Sequence, residues 1–386
     1  MFSRRNSFMK FVTQRDQLVA SILNVMKAIS QRTAIPILTG MKIEAKKSGL
    51  ILTGSDSDIS IEAYIPSEED GTIFVEEIEE GSVVLNAQYF SDIIRKLPEN
   101  TVMIEADSQL NVTIQSGKSV FKLNGQDAEE YPQLPTLQTE HSFEIQADLL
   151  KTLIKQTAFA VSTMETRPIL TGVNLTLKDG LLNFTATDSH RLASRDIHIK
   201  NTKLEFSNVV IPGKSLNELN KILDDTEDMI EISVANNQIL FRTNQFNFLS
   251  RLLDGNYPET SRLIPDQSKT TITVQTKSLQ NTIDRASLLA KNESNNVVRL
   301  TTKDQQTIEI TSKSPEIGKV AEDVMVESIE GEELNISFSS KYILDALKTM
   351  DADEINIQFT GAMRPFIIRP QTDEPILQLI LPVRTY

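Results

Sequence analysis

Asp188-Ser189-His190 places a carboxylate, a hydroxyl and an imidazole side by side, the three groups that nucleophilic hydrolysis uses. That chemistry needs the groups to converge through hydrogen bonds from separate positions, which immediate neighbours on a chain do poorly. A binding or structural role therefore suits His190 better than a catalytic one. The other two histidines, His141 and His198, give no evident metal-ligand set. The chain has no cysteine, which excludes disulfides, thiolate nucleophiles and Cys-based zinc or iron-sulfur sites.

Two further motifs carry less than they suggest. Gly213-Lys214-Ser215 follows an apolar run and opens a helical pattern, as a phosphate loop would. The glycine such a loop needs five residues earlier is Asn208, and Pro212 lacks the N–H that would face phosphate. Gly117-Lys118-Ser119 leads into a strand and reads as a hairpin turn. The carboxylates Glu68, Glu69, Asp70, Glu76, Glu77, Glu79 and Glu80 lack the spacing of a calcium loop and read as a solvated acidic loop.

The elements that position these residues are repeated. Ile37-Leu38-Thr39-Gly40 precedes Ile169-Leu170-Thr171-Gly172 by 132 residues, and Asp56-Ser57 precedes Asp188-Ser189 by the same 132. A period this long marks a duplicated domain, since solenoid repeats span roughly 20 to 50 residues. Apolar spacing gives the order helix, strands, helix, strands three times, with helical stretches at 14–32, 87–98, 147–167, 212–223, 276–291 and 339–350. Asp16, Asp148 and Ser339 with Ser340 stand where helix caps belong. Tyr131-Pro132 and Tyr257-Pro258 close the first two units, placing boundaries near 138 and 266. The residues alone thus predict a three-domain α+β binding protein.

At 386 residues with 39% apolar and 24% charged residues, the chain reads as soluble and globular, without a membrane span or an apolar signal segment, and a cytoplasmic location is expected. Its net charge of −14 argues against nucleic acid only if the charge is spread evenly. It is not. The six helical stretches carry a net +8, leaving −22 for the rest. Helices that shared one side would offer a basic face to a polyanion inside an acidic shell. Around the Asp188 stretch, Leu170, His190-Arg191-Leu192, Pro258, Arg262-Leu263 and Leu379 to Arg384 offer apolar surface edged by cations, a mixture that suits a docked peptide.

Met9-Lys10-Phe11, Ile-Pro-Ile-Leu at 35–38, Ala-Thr-Asp-Ser-His-Arg-Leu-Ala at 186–193 and Leu-Pro-Val-Arg-Thr-Tyr at 381–386 together resemble the bacterial sliding clamps, the beta subunits of DNA polymerase III. The resemblance implies three tandem clamp domains at 9–138, 139–266 and 267–386 behind an extension at 1–8, each with two helices on antiparallel sheets. It implies a head-to-tail homodimer closing a six-domain ring, with no catalytic activity, cofactor or metal. Twelve helices about 10 Å across would make a circle of about 120 Å with a bore near 28 Å. Two groove depths of a duplex come to roughly 16 Å.

By the family's pattern, Lys27, Arg32, Lys155 and Lys214 would face double-stranded DNA without regard to sequence. The partner pocket would comprise Arg167, Leu170, Thr187, Ser189, His190, Arg191, Leu192, Pro258, Arg262, Leu263, Leu379, Leu381, Pro382, Val383 and Arg384. It would receive short Gln- and Leu-rich motifs of the replicative polymerase, clamp loader, translesion polymerases, mismatch-repair proteins and ligase. Phe121 and Leu123 of one protomer would meet Leu288 and Leu289 of the other. Two rival readings follow from the residues: an acidic peptide-binding scaffold with no DNA role, and a hydrolase using Asp188 and His190.

Overall fold

The computed structural model describes residues 7–133, 142–200, 202–235, 237–290 and 296–384. His141, the boundary near 138, Thr385 and Tyr386 lie outside them. The described helices are α1 (Arg15–Val25), α2 (Ala87–Arg95), α3 (Ala147–Thr157), α4 (Gly213–Asn220), α5 (Thr276–Ala290) and α6 (Ser340–Leu347). All six fall inside the stretches that apolar spacing marks out. Each is shorter than its stretch, and each first helix of a repeat is preceded by a strand, at Ser7–Gln14, Ser142–Gln146 and Thr270–Gln275.

The helix ends differ from expectation for local reasons. After α1 the chain tightens into a 3₁₀ turn, Met26–Ala28, and Ile29 is already extended. After α3 the same happens at Ala158–Ala160. Both turns keep burying Ala28, Ala158 and Ala160, so the apolar period runs on past the α-helical hydrogen bonds. Capping is also different. Asp16 and Asp148 lie within the first turns of α1 and α3, where a carboxylate complements the helix dipole. Ser339 precedes α6 without a side-chain bond, whereas Asn86, which sequence reasoning missed, caps α2 by accepting from the Tyr89 N–H at 3.2 Å.

The chain forms two compact units, Met1–Ala147 with Lys221–Arg251, and Asp148–Asn220 with Leu252–Tyr386. The middle repeat is therefore shared between units. In the first unit, Phe246–Arg251 of the middle repeat pairs antiparallel with Ile59–Pro66 of the first, Leu249 opposite Ser60, fusing two half-sheets into one of eight strands. In the second unit, Ile376–Ile380 of the third repeat pairs with Arg191–His198 of the middle one, Leu379 opposite Leu192, within a nine-stranded sheet. A five-stranded sheet in the first unit ends at Ser119–Asn124, and a four-stranded sheet in the second ends at Gly318–Met325.

Helices pack on these sheets through one face each. In the first unit α1 buries Leu18, Ile22 and Val25, and Gly54 lets it approach, since a Cβ there would sit 2.6 Å from Val25. Leu279, Ile283 and Ala286 of α5 and Ile343, Leu344 and Leu347 of α6 share one core in the second unit with Phe338, Phe359 and Phe366. The acidic run at 68–80 is not a bare loop: Glu68–Glu69 pairs with Thr72–Ile73, and Val75–Glu79 is an edge strand whose Glu77 pairs with Lys10. Gly117, at φ 54, makes the expected hairpin turn.

Candidate functional site

Thr187 ends one strand and Arg191 begins the next, and Thr187 stands opposite Leu192, so the residues between must reverse tightly. Asp188 Oδ1 holds the turn by accepting the N–H of His190 at 2.9 Å and of Arg191 at 3.0 Å. Thr187 Oγ1 donates to the Arg191 carbonyl at 2.6 Å and accepts the Ser189 N–H at 3.1 Å. Ser189 pays with a left-handed φ of 78°.

Arg191 overturns part of the sequence reading. It is 7% exposed and no rim cation. Its guanidinium donates to Asp188 Oδ2 at 3.0 Å, Asp345 Oδ2 at 2.8 Å and the Phe159 carbonyl at 2.7 Å. The rings of Tyr342 and Phe159 lie 4.7 and 5.3 Å from its central carbon. Planar, forked and desolvated, it locks the turn to α6 and to the 3₁₀ turn after α3. Asp188 is consumed by this arrangement. The His190 ring stacks on Tyr342 instead, centroids 6.4 Å apart and planes at 16°, so no hydrolytic Asp188–His190 couple forms.

The apolar side chains of this region come together. Leu192 and Leu379 pack with Ile367 and Leu377, and Ile264 and Leu381 lie half-buried against them. Leu381 N–H donates to the His190 carbonyl at 2.9 Å, and Val383 N–H to Ser337 at 2.8 Å, fixing the course of the last residues described. Leu170 is buried in a 3₁₀ turn, Pro168–Thr171, with its carbonyl held by the Ser162 N–H at 2.8 Å. The Tyr257 hydroxyl joins the segments: it accepts the Thr187 N–H at 3.0 Å and donates to the Gly172 carbonyl at 3.5 Å. Burial pushes this phenol well above its ordinary value, so it stays a neutral donor.

Of the expected pocket residues, Leu192, Leu379 and Leu381 thus meet in one cluster, with Thr187, Ser189, His190 and Arg191 on the adjoining turn. Arg167, Pro258, Arg262, Leu263 and Arg384 are exposed, Leu263 to 49%, and Pro382 and Val383 are half-buried. Arg262 pairs with Glu259 at 3.1 Å in solvent, a contact worth little. Sequence reasoning missed Tyr257, Ile264, Tyr342, Asp345, Ile367 and Leu377. Only the Tyr-Pro repeat hinted at any of them. The arrangement offers a leucine-lined floor beside ordered backbone, suited to the apolar side chains of an extended peptide.

Two of the four expected DNA-facing cations have local partners and two are exposed. Lys27 Nζ donates to the Leu23 carbonyl at 3.1 Å, and Arg32 is exposed, both in the first unit. In the second unit Lys155 lies 3.7 Å from Asp351, and Lys214 is exposed on α4. Gly213, which opens α4, serves packing: a Cβ there would lie 2.9 Å from Val161. Among the described residues no group of three or more His, Cys, Asp or Glu could hold a metal, and no helix is long and apolar enough to cross a membrane.

Three family profiles match in tandem: the DNA polymerase III beta subunit N-terminal domain over 9–135, its central domain over 144–259 and its C-terminal domain over 261–384. The chain is 57% identical over 378 residues to the beta sliding clamp of Bacillus subtilis, covering 98% of this chain and 100% of that one. It is 48% identical over the same length to the beta sliding clamp of Staphylococcus aureus, with the same coverage. The crystal structure of the Bacillus subtilis clamp superposes with a TM-score of 0.95, again over 98% and 100% of the two chains. The DNA polymerase III beta chain of Streptococcus pneumoniae, 39% identical, gives 0.93 at the same coverage.

Proposed function

Because this chain belongs to the DNA polymerase III beta-subunit family, we propose that it is a DNA sliding clamp, a ring-forming homodimer that encircles duplex DNA and tethers the replicative polymerase to it. Tethering raises processivity because a polymerase that lets go remains at high effective concentration over its template. No chemistry is asked of the clamp itself. It works in the cytoplasm, divided at 138 and 266 into three clamp domains behind the extension at 1–8.

The observation that carries the reading is the way repeats are joined. The last strand of the middle repeat, Phe246–Arg251, adds to the fourth strand of the first, Ile59–Pro66. The last strand of the third repeat, Ile376–Ile380, adds to the equivalent strand of the middle one, Arg191–His198. Applied once more, the rule adds Ser119–Asn124, last strand of the first repeat, to Gly318–Met325 of a second copy. Both are sheet edges, and an edge with exposed apolar residues is a template for pairing. Val120 and Phe121 are 52% and 39% exposed on the first, with Leu123 half-buried. On the other side α5 lies along the edge strand, Thr282 Oγ1 donating to Glu322 at 3.3 Å, and carries Leu288 at 58% exposure next to half-buried Leu289. A head-to-tail rule of this kind closes a ring if the rotation per joint allows it.

The leucine-lined site beside Asp188 would take the short linear motifs of the polymerase, clamp loader, translesion polymerases, mismatch-repair proteins and ligase. Lys27, Arg32, Lys155 and Lys214 would line the bore. The decisive experiment loads the protein on nicked circular DNA and then linearises it. Retention on the circle and loss from the line are expected. Equal retention on both forms would overturn the reading.

A further inference from the structure

The repeat that builds the Asp188 site builds a second site in the first unit. Pro36–Thr39 is a 3₁₀ turn like Pro168–Thr171, with Thr39 Oγ1 donating to Pro36 at 2.8 Å as Thr171 Oγ1 does to Pro168 at 2.7 Å. Asp56 Oδ1 accepts the N–H of Asp58 and Ile59, both at 2.8 Å, as Asp188 Oδ1 does those of His190 and Arg191. Arg251 N–H donates to the Asp58 carbonyl at 2.8 Å, and Leu381 N–H to that of His190 at 2.9 Å. Buried Tyr131 stands before Pro132 as Tyr257 stands before Pro258. At this spot a cavity of about 360 Å³ is lined by Ile35, Leu38, Asp56, Asp58, Leu249 and Arg251, with Pro132 at its edge.

The side chains differ where it matters. Ile59 stands in the position of Arg191, so the carboxylate that the middle repeat neutralises from within has, among the described residues, no ion-pair partner here. Asp58 replaces His190, leaving two carboxylates against the single guanidinium of Arg251. Leu38 and Leu249 are buried beneath, and Ile35 is exposed. We propose that this cavity is a second peptide-docking site, for a linear segment that presents an arginine beside an apolar residue. The arginine supplies from outside the cation that Arg191 supplies to Asp188, and the apolar side chain rests on Leu38, Leu249 and Ile35. A planar guanidinium suits a carboxylate better than an ammonium does, because it binds through two parallel N–H groups.

The test uses the full-length protein and a fluorescein-labelled Gly-Arg-Leu-Phe-Gly peptide, compared with its citrulline twin, which keeps the shape and loses the charge. Fluorescence polarisation should show the arginine peptide binding about tenfold more tightly. Asp56→Asn, which keeps the oxygen that holds the turn, should reduce it to the level of the twin. Ile35→Ala, at an exposed position, should weaken both peptides, whereas Leu263→Ala reads any share bound in the Asp188 site. Equal affinity for the two peptides, no binding of either, or loss on Leu263→Ala with Asp56→Asn unchanged would overturn the proposal.

Discussion

At the scale of single residues, Arg191 decides how the candidate site stands up. Its guanidinium is shared between two carboxylates and a carbonyl and is sandwiched by two rings. Truncation would strand Asp188 and Asp345 close together with no compensating cation. Breaking a buried pair by removing one partner typically costs about 3–5 kcal/mol. Arg191→Ala should therefore lower the free energy of chemical unfolding by about that amount, and Arg191→Lys should recover little, since an ammonium cannot fork. A loss below about 1 kcal/mol would be the value expected of a surface pair. None of this was legible in the sequence. An Arg beside a His advertises charge, whereas its partners, Phe159 and Asp345, lie 32 and 154 residues away. The leucines fared better, because an apolar side chain beside a turn or a chain end declares its preference for burial whatever its partner.

At the scale of elements, existence was readable and extent was not. Apolar spacing located all six described helices, because each buries one stripe. It overran α1 and α3 because their 3₁₀ extensions bury the same stripe. Alternation likewise found strands but not their neighbours: nothing in Ile59–Pro66 says that its second partner is Phe246–Arg251, over 180 residues on. Strand partners had to come from the structure, and they make the ring testable. Phe121→Asp places a charge on an apolar edge, at a side chain that is 39% exposed although it stands opposite buried Ile114 on the same face of the sheet. Each ring would then have to desolvate two carboxylates at its joints. Sedimentation should show the variant as a folded monomer, with the protomer's unfolding midpoint lowered only slightly. A persistent dimer would mean that the pairing rule does not extend to the last joint.

At the scale of the whole molecule, the charge pattern and the joints answer different questions. Helical stretches with a net +8 within a chain of net −14 favour a polyanion near the helices and repel it elsewhere. They need not hold it. A protein bound by about six to ten phosphate contacts loses roughly a thousandfold or more in affinity when salt rises from about 50 to about 200 mM. A closed ring held by topology loses almost nothing, because leaving requires a joint to open. Residence on nicked circular DNA should thus be nearly independent of salt over that range, while the rate of capture falls. Reversing Lys27, Arg32, Lys155 and Lys214 to Glu should slow capture several-fold and leave the residence time of rings already closed unchanged. If residence instead shortened in step with salt, with the quadruple variant dissociating fastest, direct phosphate contacts rather than closure would be what keeps the protein on DNA. The apolar joint at Phe121 would then matter only for assembly in solution.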